Sequence, residues 1–225
     1  MEILCIIPAR GGSKGVKLKN IRKLEDKPLI AYTIDAGLES KYGLDVFVSS
    51  DHPGILKISN SYGAGIIKRP SDLAEDDSTT IDVLLHALGI LDKTYDLIIL
   101  LQATSPLRTS NHIDEAIQLY MESECDSLIS VCEYEHSPYW SYIIQDKILT
   151  PIHKDYINKR RQDLPETCRP NGAIYITTPS NLEKYKGFIS PKTLAYPMSM
   201  EDSVDIDTEL DFQICETIIN WRKKE

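Results

Sequence analysis

The stretch DLIILL, residues 96–101, runs five aliphatic side chains together with no polar residue among them. A strand with one wet face would alternate, so a short run like this belongs in a strand covered on both faces, at the centre of a mostly parallel sheet. Similar runs recur at 2–9, 45–49 (DVFVS), 64–68, 127–132 (SLISVC) and 171–177 (NGAIYIT). Between them lie segments of helical length and spacing. Residues 28–39 place Leu29, Ile30, Thr33, Ile34 and Gly37 on one stripe, and 52–62 reads as a second helix. Residues 80–91 do the same with Ile81, Leu84, Leu85 and Leu88. In TSNHIDEAIQLYMES, Ile113, Ala116, Ile117, Tyr120 and Met121 share a face, and Ser110 or Asn111 is expected to cap the helix. A last helix, ELDFQICETIINW, is expected to bury Leu210, Ile214, Ile218 and Trp221. The alternation predicts an α/β fold, a mostly parallel twisted sheet with helices on both faces and a site at the carboxyl ends of the strands.

Between residues 133 and 170 this rhythm breaks into EYEHSPYW and KDYINKRRQD, with several prolines. The stretch is too long for a connecting loop. It reads as an inserted arm or small subdomain within a single domain spanning 1–225.

The first apolar run opens into ARGGSKGVKLKN, which sets Arg10, Lys14, Lys17 and Lys19 on a loop with Gly11, Gly12 and Gly15. Glycine lets backbone N–H groups approach an anion closely, and the cations add charge. An ordinary strand-to-helix turn is the plainer reading of the glycines, but four cations within ten residues favour a phosphate cradle. The spacing is neither GxxxxGK[ST] nor GxGxxG. Against a net charge of −9, so local a positive patch suits a small anion and disfavours nucleic acid as partner. No window is apolar enough for a transmembrane helix, and the amino terminus reads as a strand and not a signal peptide. Five scattered cysteines without a CxxC pair predict a reduced, cytoplasmic protein.

Near the other end stands SVDIDTELD. In extended chain, Asp205 and Asp207 point together while Val204 and Ile206 face inward. Two hard oxygen donors suit Mg²⁺; equally, Asp207 could cap the last helix with Asp205 in water. In LLQATSPLR the central strand ends in Gln102, Thr104 and Ser105, placed to hold a ligand or simply to make a turn. In RPSDLAEDDSTT, Arg69 and Ser78 are the candidates for ligand contact, with Asp72, Asp76 and Asp77 a solvated loop. Arg160, Arg161 and Arg169 form a solvated face or complete an anion site, across a subunit boundary if the chain self-associates.

In the same order, ARGGSKGVKLKN, RPSDLAEDDSTT, LLQATSPLR, RRQDLPETCRPNGAIYI and SVDIDTELD resemble motifs of the acylneuraminate cytidylyltransferases, the CMP-sialic acid synthetases. Related 3-deoxy-manno-octulosonate enzymes carry an arginine-leucine-proline turn where this chain has Lys14-Gly15-Val16, which favours the sialate branch. The resemblance implies a Rossmann-like nucleotidyltransferase fold, CTP and a nine-carbon α-keto acid as substrates, Mg²⁺, and a homodimer joined through the arm. It implies nucleotide contacts for Arg10, Lys14, Asn20, Arg69, Ser78 and Thr80, and triphosphate contact for Lys19. Gln102, Tyr175 and Phe188 match positions that meet the sugar acid, Asp205 and Asp207 the metal pair. Arg161 and Arg169 fall in the arm that reaches a neighbouring site, and Arg161 suits the sugar carboxylate. The expected reaction is attack of the anomeric hydroxyl on the α-phosphorus of CTP, with Arg10, Lys19 and Asp207 as catalytic residues. Asp207 or a hydroxide on the metal is the base. The sequence leaves open another nonulosonic acid, legionaminic or pseudaminic, and a catalytically silent nucleotide-sugar-binding homologue.

Overall fold

In the computed structural model, which describes residues 1–12, 15–75 and 77–224, the apolar runs pair into one seven-stranded sheet. The chain starts with β1 (Ile3–Pro8), a small ribbon of β2 (Lys23–Leu24) and β3 (Lys27–Pro28), and helix α1 (Leu29–Leu38). Next come β4 (Asp45–Ser50), α2 (Pro53–Ser61), β5 (Gly65–Lys68), α3 (Thr80–Ile90), β6 (Leu97–Leu100), α4 (Ser110–Glu122) and β7 (Ser127–Glu133). A second ribbon, β8 (Tyr142–Gln145) and β9 (Ile148–Pro151), precedes β10 (Cys168–Thr177), α5 (Pro179–Tyr185), β11 (Thr193–Pro197) and α6 (Glu209–Arg222).

The sheet order is β11-β7-β10-β6-β1-β4-β5. All pairings are parallel except those of β10, which runs antiparallel between β6 and β7. After β5 the chain crosses back to the other side of β1 to form β6, so the order reverses there. A crevice opens at such a switch point, outside the carboxyl ends of the strands.

Strand periodicity divides the core. Cys5 and Ile7 of β1 and Ile99 of β6 face one layer with Ile34, Ile55 and Ile117 of the helices α1, α2 and α4. Leu4, Ile6, Ile98 and Leu100 face the other, with Leu84 and Ala87 of α3 and Leu182 of α5. All four residues of β6 are buried, as a strand covered on both faces requires. Each buried Leu or Ile contributes about 1.5–3 kcal/mol from removal of apolar area from water. A third cluster, Val16, Leu24, Leu29, Leu107, Ile206, Phe212 and Cys215, ties the opening loop, the residues before α6, and α6 itself together.

Several local expectations are corrected. Helix α4 is capped by Thr109, one residue earlier than expected, because its hydroxyl takes the His112 N–H while His112 accepts from Thr109 N–H. Helix α6 buries Phe212 and Cys215, with Ile218 and Ile219 half-buried, and leaves Leu210, Ile214 and Trp221 exposed. The expected stripe was rotated because Phe212, aligned on the Val16–Ile206 cluster, sets the face. Met121 of α4 is also exposed, at 54%. The strand expected at 171–177 begins at Cys168, and α5 and β11 fall where no element was expected. Among the described residues no helix is long and apolar enough to cross a membrane.

Candidate functional site

Beyond β1 the opening loop is fastened at both ends. The Gly11 N–H donates to Asp51 Oδ1 at 2.9 Å, and a Cβ on Gly11 would meet His52 at the same distance. At Gly15 a Cβ would lie 2.2 Å from the Asp207 carbonyl oxygen, so only glycine lets this loop press against the acidic segment. The chain then makes a short turn over Lys19–Ile21. Lys19 Nζ donates to the Ile206 carbonyl at 2.6 Å and to Asp207 Oδ1 at 2.8 Å. Asn20 is buried and donates through Nδ2 to the Arg10 carbonyl at 3.1 Å. Head and tail of the sequence thus form one wall.

The tail is also tied to the end of β6, since the Ile206 N–H donates to the Thr104 carbonyl at 2.9 Å. Asp205 turns inward, and its Oδ1 is buried with no hydrogen-bond partner. Burial pushes this carboxyl above its ordinary value; the Thr104 hydroxyl pulls it down, the Asp207 charge adds to the rise, and Lys19 opposes it. Gln102 lies against Gly172, which adopts φ +80° and whose missing Cβ would sit 2.3 Å from Gln102 Oε1.

On the opposite wall Arg69, only 6% exposed, donates to the carbonyls of Leu73 and Ser49, each at 3.3 Å. Its Nε is buried without a partner. Burial lowers the guanidinium from its ordinary value, offset by Asp51 and reinforced by Arg10. Ser78 donates to the Asp72 carbonyl at 2.7 Å, and Thr80 opens α3 behind a Thr79–Asp82 capping box.

These side chains line one cleft of about 480 Å³: Arg10, Lys19, Asn20, Arg69, Ser78, Thr80, Gln102, Thr104, Asp205 and Asp207. Of the remaining sequence candidates, Lys14 lies outside the described residues. Tyr175 sits in β10 opposite Leu100, and burial and then the Asp205 charge raise its phenol. Its ring lies 5.2 Å from that of Phe188, which is buried in the α3-side core and does not line the cleft. Arg161 borders a separate groove of about 730 Å³ between the arm and the edges of β7 and β11, and Arg169 is exposed on β10. Neither reaches the cleft of its own chain. Sequence reasoning missed Asp51, Glu75 and Thr79. The signature TTID announces the Thr79 cap, but nothing local marks Asp51, whose role depends on the β1–β4 pairing.

The cations Arg10, Lys19 and Arg69 and the carboxylate pair Asp205 and Asp207 line the same cleft, which equips it for a polyanion together with a hard cation. The family model described as cytidylyltransferase matches residues 4–185. The chain belongs to the cytidylyltransferase family. Among the relatives of this chain, N-acylneuraminate cytidylyltransferase of Escherichia coli O18:K1:H7 is 39% identical over all of this chain and 54% of its own length. Its counterpart in Streptococcus agalactiae serotype III is 39% identical over 94% of this chain and 52% of its own. The chain therefore spans about half the length of these curated relatives. CMP-N,N'-diacetyllegionaminic acid synthase of Legionella pneumophila is 36% identical, with 100% of this chain and 99% of that one covered. The structure of CMP:2-keto-3-deoxy-manno-octonic acid synthetase complexed with CTP superposes at a TM-score of 0.76. It covers 99% of this chain and 100% of that one at 14% identity, and so speaks for the nucleotidyltransferase fold alone.

Proposed function

We propose that this chain transfers CMP from CTP to the anomeric hydroxyl of a sialic-type nonulosonic acid, giving the CMP-sugar, pyrophosphate and a proton. The observation that carries the reading is the cleft wall in which Lys19 of the glycine loop bonds Asp207 beside Asp205 and Gln102. The names of the relatives, N-acylneuraminate cytidylyltransferase and CMP-N,N'-diacetyllegionaminic acid synthase, support the substrates.

In this reading the anomeric oxygen attacks the α-phosphorus as the bond to the bridging oxygen breaks and pyrophosphate departs. Arg10 and Lys19, with Lys14, neutralise the triphosphate and the leaving group. The Asp207 carboxylate takes the hydroxyl proton, and Lys19 holds it in position. Arg69, Ser78, Thr80 and Asn20 bind the nucleoside end, while Gln102 orients the sugar acid. Asp205 and Asp207 fit a Mg²⁺ ion. One buried Asp205 oxygen lacks a partner, and no cluster of three or more His, Cys, Asp or Glu occurs among the described residues. Two carboxylates, with water and phosphate filling the shell, is the usual protein share for that ion. When bound it supplies Lewis-acid polarisation and charge neutralisation at the phosphate.

Arg161 and Arg169 serve the site of a second copy in a homodimer. Support comes from their position outside their own cleft and from the β8–β9 ribbon. There Ile143, Ile144, Ile148 and Leu149 are all more than half exposed, an apolar surface that calls for a partner.

A second reading takes legionaminic acid as acceptor, supported by the 36% identity to the relative named for that acid. Pyrophosphate release with CTP and N-acetylneuraminic, legionaminic and pseudaminic acids tests both readings. Release with one acid and none without identifies the acceptor; CTP binding without release from any acid leaves a silent binding protein and ends the proposal.

A further inference from the structure

Arg108 is 2% exposed, and its hydrogen-bond partners among the described residues are all neutral. Nε donates to the Ala173 carbonyl at 3.2 Å, and Nη2 donates to the Thr33 hydroxyl at 2.8 Å and the Gln102 carbonyl at 3.3 Å. Nη1 is buried with no partner. Burial lowers the guanidinium only to about 10, so it is charged at neutral pH. The nearby Cys5 thiol is pushed up to about 12 by its own burial and supplies no counter-charge.

A buried cation is ordinarily matched by a carboxylate, and a well-packed apolar residue would fill this space at lower cost. What an apolar residue could not do is bridge two carbonyls on different strands. Gln102 follows β6 and Ala173 lies in β10, just where the pairing of β10 with β7 shifts register between Pro170 and Tyr175. The residue before Ala173 is Gly172, the one that makes room for the Gln102 side chain. A rigid fork of donors therefore sets the backbone on both sides of the Gln102 amide, and lysine, with a single point of charge, cannot copy it.

We propose that Arg108 is a positioning residue for Gln102, fixing the amide that orients the sugar acid, a role that rests on the reaction proposed above. The test compares Arg108→Lys, Gln102→Ala and the double variant in pyrophosphate release, varying CTP and the sugar acid separately. Arg108→Lys should raise KM for the sugar acid about tenfold or more and leave KM for CTP within about twofold, and the double variant should be no worse than Gln102→Ala. Equal rises for both substrates, or losses that multiply in the double variant, overturn the role. Should Arg108→Lys fail to fold, Thr33→Val keeps the charge and removes the hydroxyl that anchors it. It should give a smaller rise confined to the sugar acid, and an unchanged KM overturns the role. A wild-type protein inactive with every acid overturns the reaction itself, and the role of Arg108 falls with it. An active wild type with symmetric variants overturns Arg108 alone.

Discussion

Lys19 Nζ lies 2.8 Å from Asp207 Oδ1, joining two residues 188 positions apart in the chain. The Lys19 side chain is 12% exposed and that of Asp207 74%. A pair so open on one side contributes little to stability, on the order of 1 kcal/mol or less. Its significance is positional.

Asp207→Asn should therefore lower kcat by roughly two to four orders of magnitude, the scale of losing a base or a charge-stabilising group. The urea midpoint should barely move. Steady-state pyrophosphate release and equilibrium unfolding, run on the same preparation, check both halves. Near-normal turnover at saturating Mg²⁺ removes Asp207 from the chemistry.

Gly15→Ala places a methyl 2.2 Å from the Asp207 carbonyl oxygen. That neighbour is backbone, so the loop must move away from the tail. We expect the affinity for CTP to fall about tenfold or more, at a stability cost of roughly 1–3 kcal/mol. Calorimetric CTP binding with a melting curve decides; unchanged affinity would show that the loop tolerates the shift.

Arg161→Ala should raise KM for the sugar acid far more than for CTP. Because the arginine is proposed to act on the neighbouring copy, mixing Arg161→Ala with Asp207→Asn should restore about a quarter of wild-type activity, since random pairing leaves one intact site in each mixed dimer. Activity that stays at the level of the separate variants places Arg161 outside the partner's site.

His112 caps α4 from a half-buried position 3.7 Å from Asp202. Burial lowers its value from about 6.5; Asp202 and Glu115 oppose the shift, and Arg108 and Arg222 add to it. The unfolded chain then takes up the proton more readily than the folded one. Stability from this group is whole above about pH 6.5 and is lost as pH falls through the depressed folded value. Replacing it by Gln preserves an acceptor for the Thr109 N–H. The urea midpoint of His112→Gln should fall less than that of wild type between about pH 7.5 and about pH 5.5. Parallel pH profiles would sink the assignment.

The layered fold was legible because periodicity is local: DLIILL announced a strand covered on both sides, and the Ile113–Ile117 spacing announced the face of α4. The rotated face of α6 was not legible. Leu210 and Phe212 are equally apolar candidates in sequence, and the Val16–Ile206 cluster chose between them. The cations and carboxylates of the site were readable by type, as was their likeness to a family. Asp51 and Arg108 were not, because each acts by touching backbone brought to it from a distant part of the chain.

By itself, then, the chain determined most of its elements, its polar loops and which chemical groups it carries, since these follow from side-chain type and spacing along a few residues. Tertiary structure alone decided that β6 crosses to the far side of β1, that Gly15 meets Asp207, and that Gln102 rests against Gly172. Those relations are set by sheet order and by close packing between segments up to about two hundred positions apart, and no local pattern encodes them.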